Sequence, residues 1–122
     1  SMIHSHGVKV VLHSCGYTEP VLDLVVDAGF DGIHPLEVKA GNQILQIAEK
    51  YGEKLVFVGG LDARIIESHD HEYMRKEISA LMKGLKERGA RFVFGSDHSL
   101  STVIDYEDFQ YVLEVYREHM LY

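Results

Sequence analysis

Four short, β-branched apolar runs recur along the chain, and apolar positions at helical spacing follow each of them. The runs are Lys9–His13, Asp31–Leu36, Lys54–Val58 and Arg91–Gly95. They are nearly continuous in apolar character rather than alternating, as in strands buried on both faces of a parallel sheet. Pro35 must close the second run, because proline cannot donate to a ladder. After the first run, Val21, Leu22, Leu24, Val25 and Ala28 predict one helical face, with Thr18 as its N-cap. After the second, Ile44, Leu45, Ile47 and Ala48 do the same. After the third, a short helical turn over Ala63–Glu67 leads to a longer helix over Glu72–Arg88, with Ile78, Leu81, Met82 and Leu85 at i, i+3, i+4 and i+7. After the fourth, Asp105 is the expected N-cap of a helix whose face carries Phe109, Val112, Leu113, Tyr116 and Met120.

Gly29, Gly52 and Gly89 each stand just before the next strand, where a glycine in the left-handed conformation can close a helix. Gly7 holds the same position before the first strand. Residues 1–7 are therefore expected to be the remnant of a preceding helix, and residues 1–122 a single domain with no long linker. A β-α alternation of this kind gives parallel strands joined by right-handed crossovers. Two α/β architectures meet that description: a small doubly wound sheet, and half of a (β/α)8 barrel, which needs about 250 residues when whole. The turn after the first strand, Cys15-Gly16-Tyr17-Thr18, is not a Gly-rich phosphate loop. Periodicity alone does not separate the two.

Composition narrows the function classes. The chain carries a net charge of −7 with 46% apolar and 25% charged residues, as a globular domain does. That charge argues against nucleic acid and against an anionic membrane surface as partners. The apolar runs are too short to span a bilayer. The N-terminal residues lack the basic and apolar regions of a signal peptide. The single cysteine, Cys15, excludes an internal disulfide framework and fits a reducing, cytoplasmic setting.

In both architectures ligands bind at the C-terminal ends of the strands. Those ends are polar here: His13-Ser14-Cys15-Gly16, His34-Pro35-Leu36-Glu37, Gly59-Gly60-Leu61-Asp62 and Ser96-Asp97-His98-Ser99. The opposite ends carry Lys9, Asp31, Lys54 and Arg91. His13 and Cys15 offer an imidazole and a thiolate, two ordinary zinc ligands, and one further donor would complete a three-ligand catalytic site. His98 is the first candidate for it, with Glu37 the second or an orienting group. The alternative is that Cys15 is a small buried hydrophobe and His13 a core histidine with its hydrogen bonds satisfied. Asp97 and His98 are adjacent, so their side chains should diverge and act separately, Asp97 either contacting ligand or capping a helix. Asp62 faces the site or caps the helix after it, with capping favoured. Gly59-Gly60 allows close approach of a ligand or makes only a tight turn. His34, Gly60, Asp62 and Ser96 are the candidate substrate contacts, and His98, Asp97 and Glu37 the candidate catalytic groups. His69, His71 and His119 are expected to be solvated, and Tyr106, Tyr111 and Tyr116 to serve packing.

Taken together, these strand ends resemble the C-terminal half of the uroporphyrinogen decarboxylase superfamily, which includes the corrinoid-dependent methyltransferases. The residues that carry the resemblance are His13–Gly16, Ala28–Glu37, Gly59–Asp62 and Gly95–Leu100, and the terminal Tyr116–Tyr122 is similar to the family's last helix. The resemblance implies a (β/α)8 barrel of which this chain supplies the last four units, the first four being absent. In the methyltransferase branch it implies zinc held by a His-x-Cys pair, matched by His13 and Cys15, and by a later cysteine, whose place His98 takes. A corrinoid would then be the methyl donor. In the decarboxylase branch it implies neither metal nor cofactor, with His98 matching a histidine that contacts the substrate's carboxylates. The Arg-rich segment and the aspartate of that branch belong to the half not present.

Three functions follow as expectations. The parent enzyme transfers methyl groups with zinc at His13, Cys15 and His98, or decarboxylates uroporphyrinogen, or the chain by itself is an inactive module that self-associates. A half barrel leaves two sheet edges unpaired and one face uncovered, so a homodimer is expected.

Overall fold

The computed structural model describes all 122 residues. Strands β1 (Val11–Ser14), β2 (Gly32–Pro35), β3 (Val56–Val58) and β4 (Phe92–Val93) alternate with helices α1 (Leu22–Asp27), α2 (Ile44–Tyr51), α3 (Ala63–Glu67), α4 (His71–Glu87) and α5 (Tyr106–His119). All pairings are parallel, and the sheet order is β1-β2-β3-β4. A doubly wound sheet reverses its order at a switch point. This order has none, so right-handed crossovers place every helix on one face. The fold is four consecutive β/α units of the kind that make half a (β/α)8 barrel.

The register explains the two faces. Leu12, Ile33, Phe57 and Phe92 are neighbours across the sheet and turn toward the helices, where Ile33 and Phe57 are fully buried. They belong to a core shared with Leu22, Ile47, Leu55 and Leu85. A second core, built from Leu61, Ile66, Met74, Ile78, Met82, Val112 and Val115, joins α3, α4 and α5. On the other face Val11 is 46% exposed and Val93 54%. The continuous apolar runs predict burial on both faces, and the structure covers only one.

Several local expectations need correction. On the first helix only Leu22 and Val25 are buried, while Val21 and Leu24 point outward. A 3₁₀ turn over Glu19–Val21 precedes α1, and its tighter winding shifts the phase of the face. Thr18 stands at the start of that turn but makes no side-chain cap. Gly29 and Gly89 adopt positive φ as expected, but Gly52 is right-handed. Glycine is needed there for space, since a Cβ would lie 2.5 Å from the Ala48 carbonyl oxygen and 3.2 Å from the Ala90 Cβ. On α5 the buried face is Asp108, Val112 and Val115, and Met120 is exposed.

Gly59 fixes the sheet's polar end. Its φ is +94°, and a Cβ would lie 2.9 Å from the Pro35 carbonyl oxygen and 3.0 Å from that of Ser96. Only glycine lets β3 end between those two chain segments. Gly59→Ala is expected to lower folding stability by about 2–3 kcal/mol, from backbone strain and the two close contacts. Urea denaturation should show a lower midpoint at unchanged slope, and an unmoved midpoint would contradict this reading.

Candidate metal and substrate site

Successive side chains of a strand point to opposite faces, so residues two apart share one. That rule puts His13 and Val11 on the uncovered face, and the register sets His34 beside His13. The two imidazoles meet through Nδ1 and Nδ1 at 2.8 Å. Burial first, and the neighbouring His13 second, hold the His34 pKa below its ordinary value, so His34 is neutral at neutral pH. In a contact between two Nδ1 atoms, one donates and the other accepts. When His13 is the donor, the lone pair of its Nε2 is left facing Cys15 Sγ, 3.5 Å away. Cys15 is exposed, which rules out the reading of it as a buried hydrophobe.

These residues line a cleft of about 330 Å³, whose other walls are Pro35, Ser96, Asp97, His98 and Ser99. The loops around it are held by polar side chains. The Glu37 carboxylate accepts the Gly16 N–H at 2.7 Å, steadying the turn after Cys15. Asp97 is buried, with one oxygen accepting from Val38 N at 2.8 Å and the other from Ala63 N at 2.9 Å. It thus ties the β4 end to the segment after β2 and to the start of α3. His98 is exposed on the same loop, so the two neighbours diverge as expected, and its backbone N–H reaches Ser96 Oγ at 3.3 Å.

Gly60 and Asp62 are not part of this cleft. They line a separate groove of about 540 Å³ between α2 and α4. Asp62 caps α3 by accepting from Arg64 N at 3.0 Å, and its hydrogen bonds from the Arg64 guanidinium hold its carboxyl below the usual carboxylate range.

The cleft's main support escaped sequence reasoning. Asn42 is buried and makes five hydrogen bonds. Its Oδ1 accepts from Thr18 N, Thr18 Oγ1 and Glu19 N, and its Nδ2 donates to the Gly16 and Glu37 carbonyls. It locks the loop bearing Cys15 to the loop bearing Glu37. Position alone could have drawn attention to it, as an asparagine between the second strand and its helix. The three histidines expected to be solvated are instead engaged. His69 and His71 both bond the Asp108 carboxylate, and His119 bonds Ser79 Oγ at 2.9 Å. Tyr111 stacks on His71 and Tyr116 on Phe94, whereas Tyr106 is exposed.

The donor set at His13 and Cys15 can be tested against zinc. Bonds of about 2.05 Å to nitrogen and 2.3 Å to sulfur at a tetrahedral angle put the two ligand atoms about 3.6 Å apart. The observed 3.5 Å matches that separation. The ring's other nitrogen is held by His34, an imidazole standing where a carboxylate or backbone carbonyl ordinarily orients a zinc-bound histidine. His98 shares the cleft, but His13, Cys15 and His98 are not gathered within 4.8 Å of one another. The set that does meet that distance is His69, Asp105 and Asp108. An ion at the cleft would therefore need the exposed His98 side chain to swing inward.

Comparison with known families gives one match. The profile described as uroporphyrinogen decarboxylase (URO-D) covers residues 1–119. None of the curated proteins matches the chain.

Proposed function

The chain belongs to the uroporphyrinogen decarboxylase family, and on that premise we propose that its cleft holds zinc through His13, Cys15 and His98 and serves methyl transfer from a corrinoid to a thiol. The observation that carries this reading is the 3.5 Å separation of His13 Nε2 from Cys15 Sγ, with the ring's other nitrogen already engaged. When bound, zinc would keep an acceptor thiol in its reactive thiolate form at neutral pH. His34, held neutral, orients His13. Glu37 and Asn42 fix the Cys15 loop, and Asp97 anchors the loop from which His98 reaches the cleft. Ser96 and Ser99 supply hydroxyls that can hold the acceptor's polar end. The test is methylation of a simple thiol with methylcobalamin as donor. Turnover that depends on Cys15 supports the proposal, and turnover unaffected by Cys15→Ser contradicts it.

A second reading is favoured by the rest of the lining. His34, His98, Ser96 and Ser99 form a set of hydrogen-bonding groups suited to a carboxylate. In this reading the site decarboxylates uroporphyrinogen, and His98 contacts a substrate carboxylate. Release of CO₂ from uroporphyrinogen, insensitive to Cys15→Ser, would select it.

Either activity is expected of an assembled barrel, and the proposal includes a homodimer. The half-exposed Val11 and Val93 on the uncovered face, together with the β1 and β4 edges, are the surfaces a second copy would cover. Light scattering at micromolar concentration should give twice the mass of the chain, and a stable monomer would contradict this.

A further inference from the structure

Away from the cleft, two histidines and two aspartates meet where α4 and α5 begin. His69 lies at the junction of α3 and α4. Asp105 is the N-cap residue of α5, and Asp108 lies three positions on, so the two carboxylates stand on one side of the helix start. The Asp108 side chain is only 7% exposed, and a carboxylate that deep requires partners. His71 Nε2 meets its Oδ1 at 2.9 Å, and His69 Nδ1 meets its Oδ2 at 2.5 Å. The same His69 Nδ1 lies 3.8 Å from Asp105 Oδ2.

We propose that His69, Asp105 and Asp108 form a divalent-cation site of zinc type, structural in role and separate from the cleft. One ligand atom from each lies within 4.8 Å of the others. Ligands bound at about 2.0–2.1 Å in a tetrahedral site sit about 3.3 Å apart. The two His69 separations, 2.5 Å and 3.8 Å, fall on either side of that value and the third pair lies within 4.8 Å, so an ion would replace the His69–Asp108 hydrogen bond with shifts of up to about 1.5 Å. One imidazole and two carboxylates suit zinc, cobalt or manganese better than calcium, which takes six to eight oxygens. His71 completes the arrangement without ligating. Its N–H holds Oδ1 of Asp108, leaving Oδ2 for the ion, and stacking on Tyr111 at 4.1 Å steadies its ring. Asp105 and His69 open to solvent, so water fills the remaining position. The ion would pin the α3–α4 junction to the start of α5. The loop between β4 and α5, which carries Asp97 and His98, ends at this point, so the same ion would brace one wall of the cleft.

The experiment uses the full chain with His13→Ala and Cys15→Ser, which removes the cleft ligands. The protein is stripped with chelator and titrated with zinc chloride by calorimetry, with the thermal midpoint followed in parallel. One equivalent should bind, and the midpoint should rise with zinc concentration. Adding Asp105→Asn should lower affinity at least tenfold. That side chain is 78% exposed, so its replacement leaves the fold intact, as circular dichroism can verify. His69→Gln should act in the same direction. Absence of zinc uptake, or an affinity that Asp105→Asn leaves within twofold, would overturn the proposal and leave the cluster a hydrogen-bonded clamp.

Discussion

Asn42→Asp is expected to destabilise the protein by about 3–5 kcal/mol, a large share of the total for a domain of this size. The replacement has nearly the same shape, so the effect isolates hydrogen bonding. The amide Nδ2 donates to the Gly16 and Glu37 carbonyls. An aspartate would set a carboxylate oxygen against those two carbonyl oxygens in a buried position and leave both without a donor. Each such buried group costs about 1–3 kcal/mol, more where charge is involved. The donors on the other side, Thr18 N and Glu19 N, would keep their acceptor. The site should suffer with the fold, because Gly16 adjoins Cys15. Urea titration is the direct check, and a loss under 1 kcal/mol would show that Asn42 is not the hub its contacts describe.

Cys15→Ser is the second large effect, and it falls on the cleft rather than on stability. Cys15 is exposed and makes no packing contribution to either core, so the chelator-stripped variant should melt close to the chelator-stripped parent. Serine's hydroxyl is a far poorer zinc ligand than a thiolate. The proposed site would drop to two imidazoles that are not held together, and zinc affinity there should fall by at least two orders of magnitude, about 3 kcal/mol. His34→Ala should be milder, loosening the orientation of His13 without removing a ligand, on the order of the 10- to 100-fold loss seen for such supporting groups. A metal-free Cys15→Ser variant that melted far below the metal-free parent would instead make Cys15 structural.

The β/α alternation was legible because its signals are local: apolar runs for strands, 3.6-residue spacing for helices, glycines between them. The His13 and Cys15 pair was legible for the same reason, since positions i and i+2 of a strand share a face. The failures have longer reach. The inward face of α5 was legible in part, with Val112 in the core and Tyr116 packed on it, but Asp108 is drawn inward by His69 and His71, which lie 39 and 37 residues earlier. Asn42 was missed because asparagine in a loop reads as a turn former, and its five partners come from another loop and from backbone groups. The α1 face slipped because a 3₁₀ turn precedes it, a change of winding that apolar spacing does not reveal. Gly60 and Asp62 sit at a strand end as expected, but the end of β3 turns them toward the α2–α4 groove instead of the cleft.

Zinc ligation by His13 and Cys15 at the sheet's polar end is read out by metal analysis of protein purified without chelator, comparing the parent chain with Cys15→Ser. The parent should retain one more equivalent of zinc per chain than the variant, whatever else is bound elsewhere. Equal zinc content in the two, or none in either, would contradict it.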